Sequence, residues 1–74
     1  MDITDDIVME AITQLIRELY EQHKRPLHIR VDSIAERIGA ATDDVIPRVE
    51  SLIHKGSIRY VRGLNVTFIT LNRI

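Results

Sequence analysis

Three histidines are the first candidates for metal binding or acid–base chemistry in this 74-residue chain. His23, His28 and His54 have no cysteine beside them and lack the H-x3-H spacing that brings two ligands onto one zinc ion. The sequence contains no cysteine at all, which excludes disulfides, thiolate metal sites and thiol redox chemistry. We therefore expect no metal site and no cofactor.

The serines and paired carboxylates do not form a catalytic pattern either. Ser33, Ser51 and Ser57 lack the glycine context of a nucleophile elbow, and no glycine-rich loop is present to cradle a nucleotide phosphate. The acidic pairs at 5–6 and 43–44 precede apolar helical patterns, where carboxylates favour a helix start. We therefore expect a protein that is not an enzyme.

The composition is typical of one globular domain spanning residues 1–74. A hydrophobic content of 45% argues against disorder, and the length suits one domain rather than two. The absence of cysteine suits a reducing compartment, so we expect a cytoplasmic protein. No apolar run approaches the ~20 residues of a membrane span, and the acidic residues 1–6 differ from the basic start of a signal peptide.

Charge is distributed unevenly along a chain whose formal net charge is −1. Residues 1–22 contain six acids and one arginine, and residues 31–50 contain five acids and two arginines. Residues 23–30 contain three bases and no acid, and residues 51–74 contain four bases and no acid. The isoelectric point of about 6.3 is well below the ~9 of a strongly basic DNA-binding domain, so DNA binding would require a local basic patch.

An amphipathic pattern predicts a first helix over residues 5–24. Apolar residues recur every three or four positions from Val8 to Leu19, which places them along one face. Thr4 is the predicted N-cap, and Pro26 is the predicted stop signal. The next residues, 27–31, alternate apolar and polar side chains and are compatible with a short third strand.

Two further helices follow, separated by a glycine. The second is predicted over residues 32–38, with Asp32 as N-cap and Gly39 as a left-handed C-cap. The third is predicted over about 43–55 and ends at Gly56. Because proline is tolerated only in the first turn of a helix, Pro47 favours Asp43 or Asp44 as the third N-cap.

The C-terminal residues predict a β-hairpin. Residues 57–62 and 66–71 are rich in β-branched and aromatic side chains, and the turn chemistry of Gly63-Leu64-Asn65 separates them. We assign Ile58 and Tyr60 to the same face as Val66, Phe68 and Thr70, which leaves other apolar residues for the opposite face. Three short helices cannot cover both faces.

One stretch of the sequence resembles the helix-turn-helix of winged-helix proteins: I-A-E-R-I-G, followed by V, then V-E-S-L-I-H-K-G-S-I. It is similar to MarR-type regulators and to the N-terminal domain of the LexA repressor, and the resemblance covers nearly the whole chain. It implies an α+β winged helix: a three-helix bundle that contains the helix-turn-helix, with the C-terminal hairpin as the wing. In DNA-binding members the third helix enters the major groove.

The resemblance implies a small dimeric transcription regulator that binds double-stranded DNA. Carried over to this sequence, the DNA-binding positions are Thr42, Arg48, Ser51, His54, Lys55, Arg59 and Arg62. Arg48 would lie near base edges, and Arg59 and Arg62 would contact phosphates. Arg73 belongs to the same basic segment, and Lys24, Arg25 and Arg30 form a second one.

The alternative is a winged-helix module that binds protein and has little or no DNA affinity. Asp43 and Asp44 at the start of the third helix would repel phosphates, and Pro47 constrains that helix. The hairpin has more apolar residues than the helices can cover, which is typical of a surface for a protein partner or a homodimer. The N-terminal residues 1–7 and the C-terminal residues 71–74 are also candidates for a dimer contact.

Overall fold

The computed structural model describes residues 3–64 and 66–72. Predictions that concern Met1, Asp2, Asn65, Arg73 and Ile74 lie outside the described residues. Three helices precede a two-stranded antiparallel hairpin: α1 (Asp5–Glu21), α2 (Val31–Ile38), α3 (Thr42–His54), β1 (Ile58–Arg62) and β2 (Thr67–Leu71). This order confirms the α+β fold class with a winged-helix-like arrangement.

Helix α1 begins as predicted but ends earlier. The Thr4 hydroxyl accepts a hydrogen bond from the backbone N–H of Ile7 at 3.2 Å, which confirms the N-cap. The predicted end at residue 24 is wrong, because His23 adopts a left-handed conformation with φ of 58°. The N–H groups of His23 and Lys24 bond back to the carbonyls of Tyr20 and Leu19, a Schellman-type ending that closes the helix before Pro26.

The other two helices end in the same way at glycines. Gly39 has a φ of 73° and Gly56 a φ of 83°, values that L side chains rarely adopt. The following residues, Ala40 and Ser57, donate their N–H groups to Ala35 and Leu52. Both glycine stops are therefore confirmed.

The predicted N-caps of α2 and α3 are wrong. Helix α2 begins one residue before Asp32, and α3 begins at Thr42 after Ala41, with no side-chain capping bond at either start. Asp43 and Asp44 therefore lie in the first turn, where they interact with the helix dipole rather than cap N–H groups. Pro47 lies inside the helix instead of in its first turn, where it has no N–H to donate to the carbonyl of Asp43.

The segment at 27–31 contributes a single bridge instead of a strand. Ile29 exchanges two backbone hydrogen bonds with Ile69, at 2.9 and 2.7 Å. The predicted strand does not extend further because α2 already begins at Val31. The buried Thr70 hydroxyl donates to the carbonyl of Leu27 at 2.8 Å and fixes the segment beside β2.

The hairpin register differs from the predicted face assignment. Ile58 pairs with Leu71, Tyr60 with Ile69 and Arg62 with Thr67, so these residues share one face. The opposite face has Arg59, Val61, Phe68 and Thr70. The prediction that Ile58 and Tyr60 share a face with Val66, Phe68 and Thr70 is therefore wrong, because the length of the turn shifts the alternation of β2 by one residue.

The hydrophobic core lies between the three helices and the face of the hairpin that contains Ile58 and Ile69. It is formed by residues of every element: Val8, Ala11, Ile12, Ile16, Leu27, Ile29, Ile34, Ala35, Val45, Val49, Leu52, Ile58 and Ile69. All three helices contribute side chains to this core, so the packing of its buried side holds α3 in position. Among the described residues, no helix is long and apolar enough to cross a membrane.

Candidate macromolecule-binding surface

Helix α3 presents an acidic face to solvent. Val45, Val49 and Leu52 are buried and define its inner side. At 100° per residue, the side opposite this seam has four exposed residues: Asp43, Pro47, Glu50 and His54. Two of them are acids and none is lysine or arginine, so this outward face contains few of the donors that read base edges.

Three of the predicted DNA-binding residues lie together on one flank of α3 and contact Asp5 of α1. Ser51 Oγ donates to Asp5 Oδ2 at 2.8 Å, and Lys55 Nζ lies 2.6 Å from the same oxygen. Arg48 Nη1 is 3.6 Å from Asp5 Oδ1. The hydrogen bonds from Lys55 and then Ser51 hold the pKa of the Asp5 carboxyl below its usual value.

The Asp5 carboxylate is largely covered but incompletely bonded. Its side chain is 16% exposed, against 59% for Lys55 and 49% for Arg48. Among the described residues, the buried Oδ1 atom of Asp5 has no hydrogen-bond partner. The contact therefore holds the start of α1 against the flank of α3. Within the described part of the chain, the Oδ1 atom of Asp5 interacts only with Arg48, through the ion pair of 3.6 Å.

Thr42 and His54 do not belong to this cluster. The Thr42 hydroxyl donates to Asp32 Oδ1 at 3.2 Å, which connects the start of α3 to α2. His54 is exposed in the last turn of α3, on the outward face. The predicted α3 positions are thus distributed over three environments instead of forming one basic surface.

Arg59 and Arg62 lie on opposite faces of the hairpin. Arg59 is paired with Thr70, whereas Arg62 is paired with Thr67 on the face that also contains Ile69. Both arginines are exposed. Within residues 3–64 and 66–72 neither forms an ion pair, so both guanidinium groups are available to an incoming partner.

The hairpin is covered at one end and exposed at the other. We call residues 58–59 and 68–71 the hairpin base and residues 60–64 and 66–67 the hairpin tip. Ile58 and Ile69 in the base are 1% and 0% exposed. In the hairpin tip, Tyr60 is 45%, Leu64 102% and Val66 36% exposed. The helices therefore cover the base. Tyr60 stays half exposed although it pairs with the buried Ile69, and Leu64 and Val66 lie in water at the turn.

A surface groove lies between α1 and α2. It is open to solvent, has a volume of about 470 Å³ and is lined by Leu15, Ser33, Glu36 and Arg37. Arg37 forms two hydrogen bonds of 2.7 Å with the carboxylate of Glu18, which lowers the pKa of Glu18 and raises that of Arg37. Among the described residues, no cluster of three or more histidines or acids is arranged to bind a metal ion.

The sequence did not indicate the central position of Asp5. Its place after Thr4 indicates only a helix start, and Ser51 lies 46 positions further along the chain. Only the packing of α1 on α3 brings the two together. The hairpin tip was indicated by its apolar content, although its faces were assigned incorrectly.

No protein-family model, curated protein or solved structure matches the chain. The likeness to winged-helix proteins therefore rests on the order and arrangement of the elements. A fold of this kind serves many roles, so the function has to be inferred from the exposed surfaces.

Proposed function

We propose that the chain is a winged-helix module that binds a protein partner through its hairpin tip. The observation that carries the proposal is the exposure of Tyr60, Leu64 and Val66, three large apolar side chains of the hairpin tip. Exposed apolar area of this kind often marks a protein contact. The hairpin base already fixes the strands, so binding would cost little conformational entropy.

The chemistry of the hairpin tip defines the partner it fits. Tyrosine and arginine are enriched at the centres of protein interfaces, and here Tyr60 and Arg62 share one face. Leu64 and Val66 add apolar area at the turn. We therefore expect a partner with an apolar surface bordered by carboxylates that pair with Arg62.

The outward face of α3 makes DNA binding the second candidate function. A winged-helix DNA reader inserts this face into the major groove, but here Asp43 and Glu50 would approach phosphates and bases as negative charges. The flanking donors Arg48, Ser51 and Lys55 already contact Asp5. Both features oppose a groove contact through α3, while neither opposes a protein contact through the hairpin.

Affinity capture with matched variants tests the proposal. The wild type is compared with a Leu64→Ser, Val66→Ser double variant and with Tyr20→Ser, which replaces a large exposed residue on α1. We expect the same discrete protein to be retained by the wild type and by Tyr20→Ser, and lost from the double variant. Equal retention by all three proteins would contradict the role of the hairpin tip.

A second candidate is DNA binding by a small transcription regulator, with the wing as the main contact. The observation that favours it is the exposure of Arg59 and Arg62 without an ion pair among the described residues. Because binding to phosphates releases counterions, affinity for random duplex DNA would fall steeply with salt. Replacing each arginine with alanine would then reduce the slope of log K against log salt by about one unit. The absence of binding at low salt removes this candidate.

A second copy of the chain is one form that the protein partner could take. A homodimer through the hairpin tip would bury the same apolar residues on both chains. The molecular mass in solution, measured over a range of concentrations, separates this case from a different partner. If the wild type dimerises, the Leu64→Ser, Val66→Ser variant should be monomeric at the same concentration.

A further inference from the structure

The flank of α3 combines three donors that together suit a tetrahedral oxyanion. Ser51 supplies a hydroxyl, Lys55 an ammonium and Arg48 a guanidinium, all directed at one carboxylate of α1. Arginine and lysine with a hydroxyl are the usual donors for phosphate and sulfate groups, because their charge-assisted hydrogen bonds are strong. The three residues are spaced so that they follow one strip of the helix surface.

The Asp5 carboxylate accepts short contacts from only two of these three donors. Both short contacts, from Ser51 and Lys55, fall on Oδ2, while the buried Oδ1 has no hydrogen bond among the described residues. Arg48 remains 3.6 Å from Oδ1, longer than a charge-assisted hydrogen bond of ~2.8 Å. A phosphate or sulfate group has more oxygens than a carboxylate and could accept from all three donors.

We propose that Arg48, Ser51 and Lys55 form a binding site for a phosphate- or sulfate-type oxyanion, and that Asp5 occupies this site from within the same chain. Asp5 and the external anion bind in a mutually exclusive way, because both use the same donor atoms. The site therefore has low affinity while Asp5 is docked and high affinity once Asp5 withdraws. This inference goes beyond the proposed protein binding and does not depend on it.

The position of Asp5 permits withdrawal without unfolding the core. Asp5 is the first residue of α1, held there by the Thr4 cap, and the buried residues of the helix begin at Val8. First turns of helices open at little cost, since their N–H groups have no partners inside the helix. A rotation of the Asp5 side chain or an opening of this turn frees the three donors.

Titration with inorganic pyrophosphate at low salt tests the proposal. We compare the wild type with Asp5→Asn, which removes the competing charge, and with Glu18→Gln. The latter makes the same change in net charge but releases Arg37 in the groove between α1 and α2. We expect Asp5→Asn to bind roughly ten-fold more tightly than the wild type, the gain that one lost charge-assisted competitor allows. Glu18→Gln should bind as the wild type does.

A further variant identifies the donors. Adding Lys55→Ala to Asp5→Asn should abolish the gain in affinity for pyrophosphate. Equal affinity of the wild type and Asp5→Asn, or an equal gain in Glu18→Gln, would overturn the proposal, because the effect would then be absent or due to net charge alone. Should Asp5→Asn fold poorly, Asp5→Ser keeps a polar residue at the helix start and is judged by the same outcomes.

Short duplex DNA as a second ligand separates two sources of the oxyanion. A gain in Asp5→Asn for both pyrophosphate and the duplex, lost with Lys55→Ala, supports a site that also reaches backbone phosphates. A gain for pyrophosphate alone supports a site for a free anion. A gain for the duplex alone that persists in Lys55→Ala would overturn the assignment of these donors.

Discussion

The two ends of the hairpin have the same strands and a similar share of apolar residues, yet different surroundings. In the hairpin base, Ile58 and Ile69 are buried against the helices, and Asn72 donates hydrogen bonds to the carbonyls of Gly56 and Ile58. In the hairpin tip, Leu64 is fully exposed. Apolar content alone therefore does not assign a role, because the same type of residue packs in the core at one end of the hairpin and is exposed to a partner at the other.

The largest expected effect is at the hairpin base. Replacing Ile69 with alanine removes a fully buried side chain and should lower the free energy of unfolding by ~2–5 kcal/mol. Leu64→Ala at the tip should change it by less than about 0.5 kcal/mol, since an exposed side chain loses no packing. Urea denaturation of the two variants measures both values. Similar losses in the two variants would show that the tip is packed, contrary to the comparison.

The second largest change in the free energy of unfolding is expected when a buried hydrogen bond at the hairpin base is removed. Thr70→Val keeps the volume but removes the hydroxyl that donates to Leu27. We expect a loss of ~1–3 kcal/mol in the free energy of unfolding, because the buried carbonyl loses its donor. Thr67→Val, at an exposed position of β2, is the matched control and should be close to neutral. Equal stability of Thr70→Val and the wild type would mean that this bond does not fix the segment.

A substitution at Gly63, in the hairpin turn, tests whether the exposed tip needs a fixed backbone. A Cβ added at Gly63 would lie 2.9 Å from Phe68 Cε2 and 3.0 Å from the carbonyl oxygen of Val66. Gly63→Ala should therefore cost ~1 kcal/mol as the neighbours shift. Thermal unfolding monitored by circular dichroism measures the change. A neutral result would show that the turn adapts freely.

Low pH should weaken the contacts that Asp5 and Glu18 make between helices. This is the smallest of the expected effects on stability. The pKa values of Asp5 and Glu18 are lowered from 3.8 and 4.5, mainly by hydrogen bonds from Lys55 and Arg37. The folded protein thus binds these protons less readily than the unfolded chain. Their stabilising contribution is present above the ordinary pKa values and is lost as the pH falls below them. Melting temperatures of Asp5→Asn and Glu18→Gln should depend less on pH below about pH 4.5 than that of the wild type.

Much of the fold could be predicted because its signals are local. The Thr4 cap, the apolar stripe of α1 and the glycines at positions 39 and 56 act over a few residues, and each is confirmed. The end of α1 was predicted incorrectly because His23 takes a left-handed conformation that usually requires glycine. The face assignment of the hairpin was wrong because it depends on the length of the turn.

The binding surfaces were harder to predict because they depend on distant contacts. The winged-helix resemblance places Arg48, Ser51 and Lys55 among the DNA-binding positions, but their contact with Asp5 arises only from helix packing. Likewise, the sequence indicated excess apolar residues in the hairpin without showing which of them the helices cover. Tertiary packing decides both points.

Site-specific photo-crosslinking tests the central claim, protein binding by the hairpin tip, most directly. A photoreactive residue at position 64 is compared with one at position 20, which is also exposed but lies on α1. We expect a discrete protein adduct from position 64 and none from position 20. Adducts from position 20 alone, or no adduct from position 64 in cells that contain the native partners, would contradict the claim.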